Sequence, residues 1–505
     1  MEQPERKSVL CISSLPIPRE PFDERGLALL RVGIDQLKVA ANFGRAILVA
    51  EGPNRVGAIR RQLEQLYPLA PDYGLALAIL VGAEKDIVAV NQILSEMGIG
   101  RLATVRLLSE VIQAAEFVRS HDPGPIVGEA VIEPASIKLS DEYKTLLRRA
   151  FFDCERLFLE KITGGKASMS VFRVHAWLKP ELCIVGPRPL PFFVKMAEYS
   201  SVETEKIHYR VYAEHFIPFN FRPNIDHKRC VRTRSLAALA GDFVDDAVPL
   251  RTCLKMGLAS GVLFSLFETS LKGFRLQPVA AGKKPESHIL AGFVRGRIKV
   301  NELLEDVVIR AKEFGLSKSP VDLEIAIYQE AAKLLCLRGP CHGDLHSGNV
   351  MVRGGDAILI DFFSAGDGPL TADPAALEAS LMFGTDDEDK VGSNDEWRAF
   401  VDQIYNAIMP TLHPPALAES KPGTFSWLRR SIRELRHILL GCNVDEKEAK
   451  LVLAAYLMRF ARLGLESLKN PKVKPLAFDR HAYALVIAER IVASLSIVTT
   501  PKGGS

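Results

Sequence analysis

Asp344, Asn349 and Asp361 are the residues of this chain whose types and spacing can do chemistry. They lie in the stretch Pro340 to Phe362, PCHGDLHSGNVMVRGGDAILIDF, with His342 and His346 beside them. A carboxylate, a neutral amide shortly after it, and a second carboxylate beyond an apolar run suit phosphoryl transfer from a nucleotide. That reaction needs a carboxylate to orient an attacking hydroxyl and accept its proton, and oxygen ligands to hold Mg²⁺ against the phosphates. Asp344 can do the first task and Asn349 with Asp361 the second, one neutral and one charged ligand holding the metal without over-neutralising it.

The elements that must position these groups are short. Val350 to Val352 and Ile358 to Ile360 read as apolar strands joined by a Gly-Gly-Asp turn, so the three residues are presented at one end of a hairpin. HGDLHSGN followed by a strand and IDF resembles the catalytic and metal loops of the aminoglycoside phosphotransferase and choline kinase superfamily, which has a protein-kinase-like fold. Protein kinases share the Asp-to-Asn spacing but carry Arg after the His and usually Lys two after the Asp. Gly343 and His346 stand at those positions, which favours the small-molecule-kinase branch. The resemblance covers residues 150–500, strongest over 340–376. It implies ATP or GTP as donor, Mg²⁺ as metal and a hydroxyl-bearing small molecule as acceptor. It also implies that His342 and His346 shape the loop, and that Asp373, in Asp373-Pro374-Ala375, has a structural role in accepting hydrogen bonds that hold it.

The small lobe is expected just upstream. Glu142 to Cys154 reads as a helix, Arg156 to Ile162 and Ser170 to Trp177 as strands, and Thr163 to Ser168 as a turn holding Gly164 and Gly165. Glycines there let backbone N–H groups approach nucleotide phosphates. PFFVKM puts Lys195 at the end of a third strand, and the resemblance implies that it contacts the α- and β-phosphates while an acidic residue on the next helix pairs with it. A lysine among Phe192, Phe193, Val194 and Met196 needs a partner if buried. Glu203, Glu205 and Glu214 are the candidates, and Glu205 is favoured because it lies early in a helix whose inward stripe is Ile207, Val211 and Phe216. Cys230 to Val244 reads as two strands, and Asp245 to Leu250 as the hinge between lobes.

Beyond it the pattern is helical over Leu254 to Phe267, Leu303 to Phe314 and Val321 to Leu337, the last stopped by Pro340. Gly273 to Lys299 reads as a solvated loop, with an insertion facing substrate or partner as the alternative. Asp395 to Ile408, Ser426 to Leu440, Glu446 to Leu468 and Asp479 to Ser496 read as amphipathic helices; the resemblance implies that such helices complete the large lobe and form the acceptor pocket. Arg429, Arg430, Arg433, Arg436 and His437 read as a solvated helix face, with an anionic-substrate or partner site as the alternative.

The N-terminal part alternates strand and helix patterns: a strand at SVLCISSL, a helix over Asp23 to Ala41, a strand at Ala46 to Ala50, a helix over Arg55 to Tyr67, a strand at Leu75 to Val81, a helix over Asp86 to Met97, and a last pair over Ala103 to Ser120. This predicts a parallel sheet covered on both faces. GPNRVG, Gly52 to Gly57, has the glycine spacing of a P-loop but is followed by Ala58-Ile59 in place of Lys-Ser/Thr, so it reads as a plain strand-to-helix turn. The domain weakly resembles a response-regulator receiver, in which an Asp ending a central strand takes the phosphoryl group. Here that strand is taken as Leu75 to Val81, which lacks one, leaving a degenerate domain that could bind a protein partner. The expected fold class is therefore a doubly wound α/β domain over 1–120, a linker over 121–140, and an α+β bilobal protein-kinase-like domain with its small lobe over 141–250 and its helical large lobe over 251–505.

Composition sets the outer bounds. With 505 residues, 48% hydrophobic and 25% charged, the chain can bury several cores without staples. Its eight cysteines form no CxxC pair or His-flanked metal spacing and read as small buried residues, as expected in a reducing cytosol; Cys341, beside the loop, is the one to watch. A net charge of +3 over this length gives no argument for nucleic acid. The first residues show no charged n-region followed by an apolar run, so no signal peptide is expected; Leu254 to Phe274 and Leu451 to Leu468 carry charges that mark buried helices, so no membrane association is expected and the location is read as cytoplasmic. Besides small-molecule phosphorylation, two readings stay open: a protein kinase, and a nucleotide-binding scaffold in a bacterial signalling or defence assembly.

Overall fold

The computed structural model describes residues 7–13, 16–32, 44–50, 55–66, 75–97, 103–120, 124–134, 136–162, 169–183, 190–233, 235–280, 287–384, 394–405, 424–440, 444–463 and 475–495. They form two compact units, one of residues 1–204 with 224–243, the other of 205–223 with 244–505.

The first unit holds two sheets. Strands β1 (Lys7–Ile12), β2 (Leu27–Val32), β3 (Arg45–Val49), β4 (Ala76–Val81) and β5 (Ala103–Leu107) form an all-parallel sheet in the order β2-β1-β3-β4-β5. This is a doubly wound order. RAILV and ALAILV are buried throughout, because the central strands of a sheet covered on both faces have no solvent side. Their residues divide with the two-residue period of a strand. Ala46, Leu48, Leu77 and Ile79 meet helices α1 (Arg55–Leu66) and α2 (Glu84–Glu96), whereas Ile47, Val49, Ala78 and Leu80 meet α3 (Val111–Ser120).

The predicted helix over Asp23 to Ala41 is not what forms: Leu27–Val32 is the edge strand of this sheet, entered from Gly26 at φ +68°. Leu-Ala-Leu-Leu favours a helix locally, but pairing with β1 in register Leu27 to Lys7 overrides it. The extra strand makes β3, not Leu75 to Val81, the central one, and β3 runs into the buried Ala50. Of the predicted P-loop-like turn, residues 52–54 lie outside the described residues; Val56 and Gly57 are already in α1.

The second sheet has the order β10-β11-β9-β8-β7-β6, from β6 (Val131–Glu133), β7 (Cys154–Ile162), β8 (Ser170–Leu178), β9 (Phe192–Glu198), β10 (Val231–Arg232) and β11 (Leu236–Asp242). It is antiparallel except for β6, which runs parallel to β7 out of the stretch read as linker. Helix α4 (Asp141–Ala150), capped by the Ser140 hydroxyl, buries Leu146, Leu147 and Ala150 against Val174, Ala176, Val194 and Met196. Arg229 grips Asp153 with two bonds of 2.8 and 2.7 Å and stacks on Phe151 and Phe192. That clamp fixes the turn between α4 and β7.

The second unit is mainly helical. Two small sheets, β12-β15-β16 and β13-β14-β17, are built from β12 (Val248–Pro249), β13 (Ser287–Ile289), β14 (Leu335–Cys341), β15 (Val350–Arg353), β16 (Asp356–Leu359) and β17 (Gly366–Pro369). β13 and α6 (Leu290–Arg297) fall within the predicted loop Gly273 to Lys299. The helix predicted to run to Leu337 ends at Ala331 as α7 (Pro320–Ala331), and Pro340 lies inside β14 instead of stopping a helix. A short apolar run such as Leu334 to Leu337 cannot be assigned by periodicity alone.

Helix α8 (Ala372–Phe383) is buried on nearly all sides, packed on α9 (Ser426–Leu440) and α10 (Glu446–Leu463), with α11 (Pro475–Leu495) against α10. No helix among the described residues is long and apolar enough to cross a membrane. Nor is the arginine row of α9 wholly solvated. Arg436 is 1% exposed and bonds Glu378 of α8 through Nε (3.2 Å) and Nη2 (2.5 Å), while the Tyr405 hydroxyl donates to the same carboxylate at 2.7 Å. Removing one partner of a buried ion pair strands the other charge. Arg436→Ala should therefore cost about 3–5 kcal/mol in chemical denaturation, and a loss below 1 kcal/mol would show that Glu378 finds other compensation.

Candidate functional site

Five of the predicted site residues come together on one loop of the second unit. β15 and β16 pair antiparallel from Val350↔Leu359 to Arg353↔Asp356, and the Ile360 amide donates to the Asn349 carbonyl at 3.0 Å. The residues just outside the hairpin, Asn349 and Asp361, are thus held side by side at its open end. The Asn349 Nδ2 group donates to the Asp344 carbonyl at 2.9 Å, tying the loop across its own width. Asp361 adopts φ +61°, a left-handed conformation that aspartate tolerates better than most residues, and its Oδ1 accepts the Phe363 amide at 3.4 Å.

The loop hangs from Asp373 on α8. This carboxylate, 6% exposed, accepts the His342 amide at 2.8 Å and the Gly343 amide at 3.0 Å, one on each oxygen. Burial pushes its pKa up, while the two amides and nearby His342 pull against that. His342 is fully buried, with Nε2 3.0 Å from the Ile360 carbonyl. Its ring packs on Phe362 at 5.3 Å, and Phe362 packs edge-on against Tyr209 at 5.6 Å. His208 Nδ1 lies 2.8 Å from the Phe363 carbonyl, a second tether on the segment after Asp361.

His346 is half-buried, and its Nδ1 accepts the Gly348 amide at 3.1 Å. A nitrogen that accepts a backbone N–H cannot carry a proton, so the ring is the neutral Nε2–H tautomer. Burial depresses its pKa, and Asp344 and Asp361 oppose that shift only in part. Cys341 is 3% exposed, and burial raises its thiol pKa, which fits packing and not nucleophilic work. The seven described cysteines are free thiols.

One partner of Asp344 was invisible in the sequence. Arg459, on α10, donates Nη2 to Asp344 Oδ1 at 2.9 Å and Nη1 to the Gly343 carbonyl at 3.0 Å. In the sequence it stands among the charges that mark a buried helix. An arginine facing inward on an apolar helix was the available signal, but nothing local names its partner.

Lys195 lies inside β9, in register with Leu239 and Val171. Its neighbours Val194 and Met196 point into the α4 core, so Lys195 faces the other side of the sheet, at 7% exposure. Glu205 is on helix α5 (Tyr199–His208) at 5% exposure, whereas Glu203 and Glu214 are half-buried; Ile207 and Val211, read as part of an inward stripe, are exposed instead, so the buried side of this segment is carried by Val202, Glu205 and Tyr209. Gly164 and Gly165 lie outside the described residues.

The loop's donor set fits a hard divalent cation. With Nδ2 of Asn349 committed to the Asp344 carbonyl, its Oδ1 is the end left to bind, and Asp361 adds a carboxylate. Among the described residues no three His, Cys, Asp or Glu cluster as a metal cage. A Mg²⁺ held by this pair would complete its shell with phosphate oxygens and water, as is usual for that ion.

Against known proteins, residues 298–460 match the family model "Ternary complex associated domain 9". No curated protein matches the chain. The solved structures it is similar to include aminoglycoside phosphotransferase APH(4)-Ia, at 13% identity and TM-score 0.39, covering 66% of this chain and 93% of that one. A choline/ethanolamine kinase family protein from Mesorhizobium loti matches at 14% identity and TM-score 0.37, covering 67% and 92%. Amicoumacin kinase hAmiN, solved with AMP-PNP and Ca²⁺, matches at 12% and 0.39, covering 66% and 87%.

Two expectations follow from the loop. Gly343 has φ +76°, and a Cβ there would meet the Ser364 carbonyl oxygen at 2.1 Å. Gly343→Ala should destabilise by about 1–3 kcal/mol from backbone strain alone, and a variant with unchanged melting temperature would contradict this packing. Nitrogen-15 NMR of the imidazoles should show His346 still neutral, with Nδ1 unprotonated, as pH falls through 6.5, the ordinary histidine value. A midpoint at or above that value would refute the neutral assignment.

Proposed function

We propose that the chain is a Mg²⁺-dependent phosphotransferase that moves the γ-phosphoryl group of ATP or GTP to a hydroxyl of a small molecule. The observation that carries this reading is the placement of Asp344, Asn349 and Asp361 together: Asn349 Nδ2 donates to the Asp344 carbonyl, and the Ile360 amide, next to Asp361, donates to the Asn349 carbonyl. One loop then offers a carboxylate for the acceptor hydroxyl and two oxygen ligands for Mg²⁺. Asp344 orients the hydroxyl and takes its proton as the phosphoryl group leaves the nucleotide. Asn349 and Asp361 hold the metal that neutralises charge on the phosphates.

Lys195 is assigned to the α- and β-phosphates. Its burial in an apolar strand is costly unless the charge is used. Glu205 is its proposed partner, being a carboxylate buried to the same degree on the following helix. Gly164 and Gly165 are proposed to cover the phosphates, and His342 and His346 to support the loop. The kinase names of the similar structures agree with this reading.

Purified protein incubated with Mg²⁺ and γ-labelled ATP or GTP, with a panel of hydroxyl compounds, should transfer or release label. Asp344→Ala and Asp361→Ala should each lower that rate by at least about 10²-fold, the scale of a positioned general base. Nucleotide binding without turnover in the wild type would favour a scaffold, and transfer only to protein would favour a protein kinase.

A further inference from the structure

The ground beside Asp344 is basic. Arg459 occupies Asp344 Oδ1 and the Gly343 carbonyl with one N–H from each terminal nitrogen, which leaves three of its five donors for another acceptor. Arg297, the last residue of α6, reaches the same loop from the other flank: a Cβ at Gly343 would lie 3.4 Å from its Nη2. Among the described residues no hydrogen bond or ion pair engages its guanidinium.

The two side chains share an aromatic floor. Arg297 lies 4.8 Å from the Phe293 ring and 6.0 Å from that of Tyr456, and Arg459 lies 5.8 Å from Tyr456. Stacking of this kind fixes a guanidinium's plane and leaves its edge to bind. Tyr456 is 4% exposed, and its hydroxyl has no hydrogen-bond partner. Arg297 also acts on the buried Asp373 carboxylate, but that carboxylate is already taken up by the His342 and Gly343 amides, so the Arg297 guanidinium edge is left open beside Asp344.

Resting on the phosphotransferase reading, we propose that the acceptor is anionic, a small molecule whose reacting hydroxyl lies close to a phosphate or carboxylate group held by Arg297 and Arg459. Such a group would take the Arg297 edge bidentately and the unused Arg459 donors, setting the hydroxyl against Asp344. A cationic acceptor would meet like charge there and be rejected.

Calorimetry without nucleotide tests the site directly, with glycerol 3-phosphate, glycerate, glycerol and choline as probes. Saturable binding of glycerol 3-phosphate or glycerate is expected, the stronger of the two telling phosphate from carboxylate, with glycerol and choline at least tenfold weaker. Arg297→Gln should weaken the anion at least tenfold and Arg297→Lys less, with the melting temperature followed to exclude unfolding. In transfer assays the loss should fall on the KM for the anionic acceptor. Binding that is equal across charge classes, stronger for choline, absent for both anions, or unchanged in Arg297→Gln overturns the proposal. So does a loss confined to Mg·ATP, which would make the arginines phosphate clamps for the donor. Arginine-dependent anion binding with no phosphoryl transfer to any acceptor would sink the kinase reading and leave the anion site standing.

Discussion

The candidate site depends on a carboxylate that does no chemistry in the proposed reaction. Asp373 is buried in a helix with almost no solvent face, and it holds two consecutive amides of a loop that cannot hold itself. The residues on that loop must keep their polar ends open, so they contribute little apolar packing. A charge-assisted pair of hydrogen bonds supplies rigidity where hydrophobic contact cannot. The cost is a carboxylate out of water, kept low because both oxygens are satisfied. Every other tether of the loop acts on a segment whose path Asp373 has already fixed.

The rest of the second unit follows the same rule for charge. Arg436, Glu378 and Tyr405 form a closed set inside the helices, with both carboxylate oxygens engaged. Pairs of this kind rarely add stability over a well-packed apolar core, but they are costly to break, so they fix which helix faces meet. Helices α8 and α9 otherwise meet through apolar residues, which make no directional bond of their own. A buried bidentate arginine allows one register.

The order of the loop residues was legible because the chemistry is local: Asp344, Asn349 and Asp361 lie within one hairpin, and a hairpin is written in its turn residues and apolar runs. The strand placement of Lys195 was legible for a related reason, a charged residue standing out in an apolar run. What was not legible is tertiary. Leu27–Val32 carries helix-forming residues and becomes a strand only because β1 lies beside it. Leu335–Cys341 continues an apolar pattern that α7 had begun, and its partner β17 comes later in the chain. Arg459 pairs with a residue 115 positions away, and no spacing rule reaches that far.

The comparison between Gly343 and Arg459 explains the departure from the protein-kinase pattern. There the position after the histidine is an arginine, and a lysine usually follows two residues after the aspartate. Here the first position is in a left-handed conformation with a carbonyl oxygen where a Cβ would sit, so no side chain fits. The second position is His346, neutral because a backbone amide donates into its ring. Both local sources of positive charge are therefore missing from the loop, yet Asp344 still has a cation on it, supplied by α10, 115 residues further along the chain. A charge carried on the loop is set by the loop's own conformation, whereas one carried on a helix is set by the packing of the whole unit. Arg459 thus makes the state of Asp344 depend on how α10 sits against α8 and α11, and a change in that packing would reach the aspartate without altering a single residue of the loop.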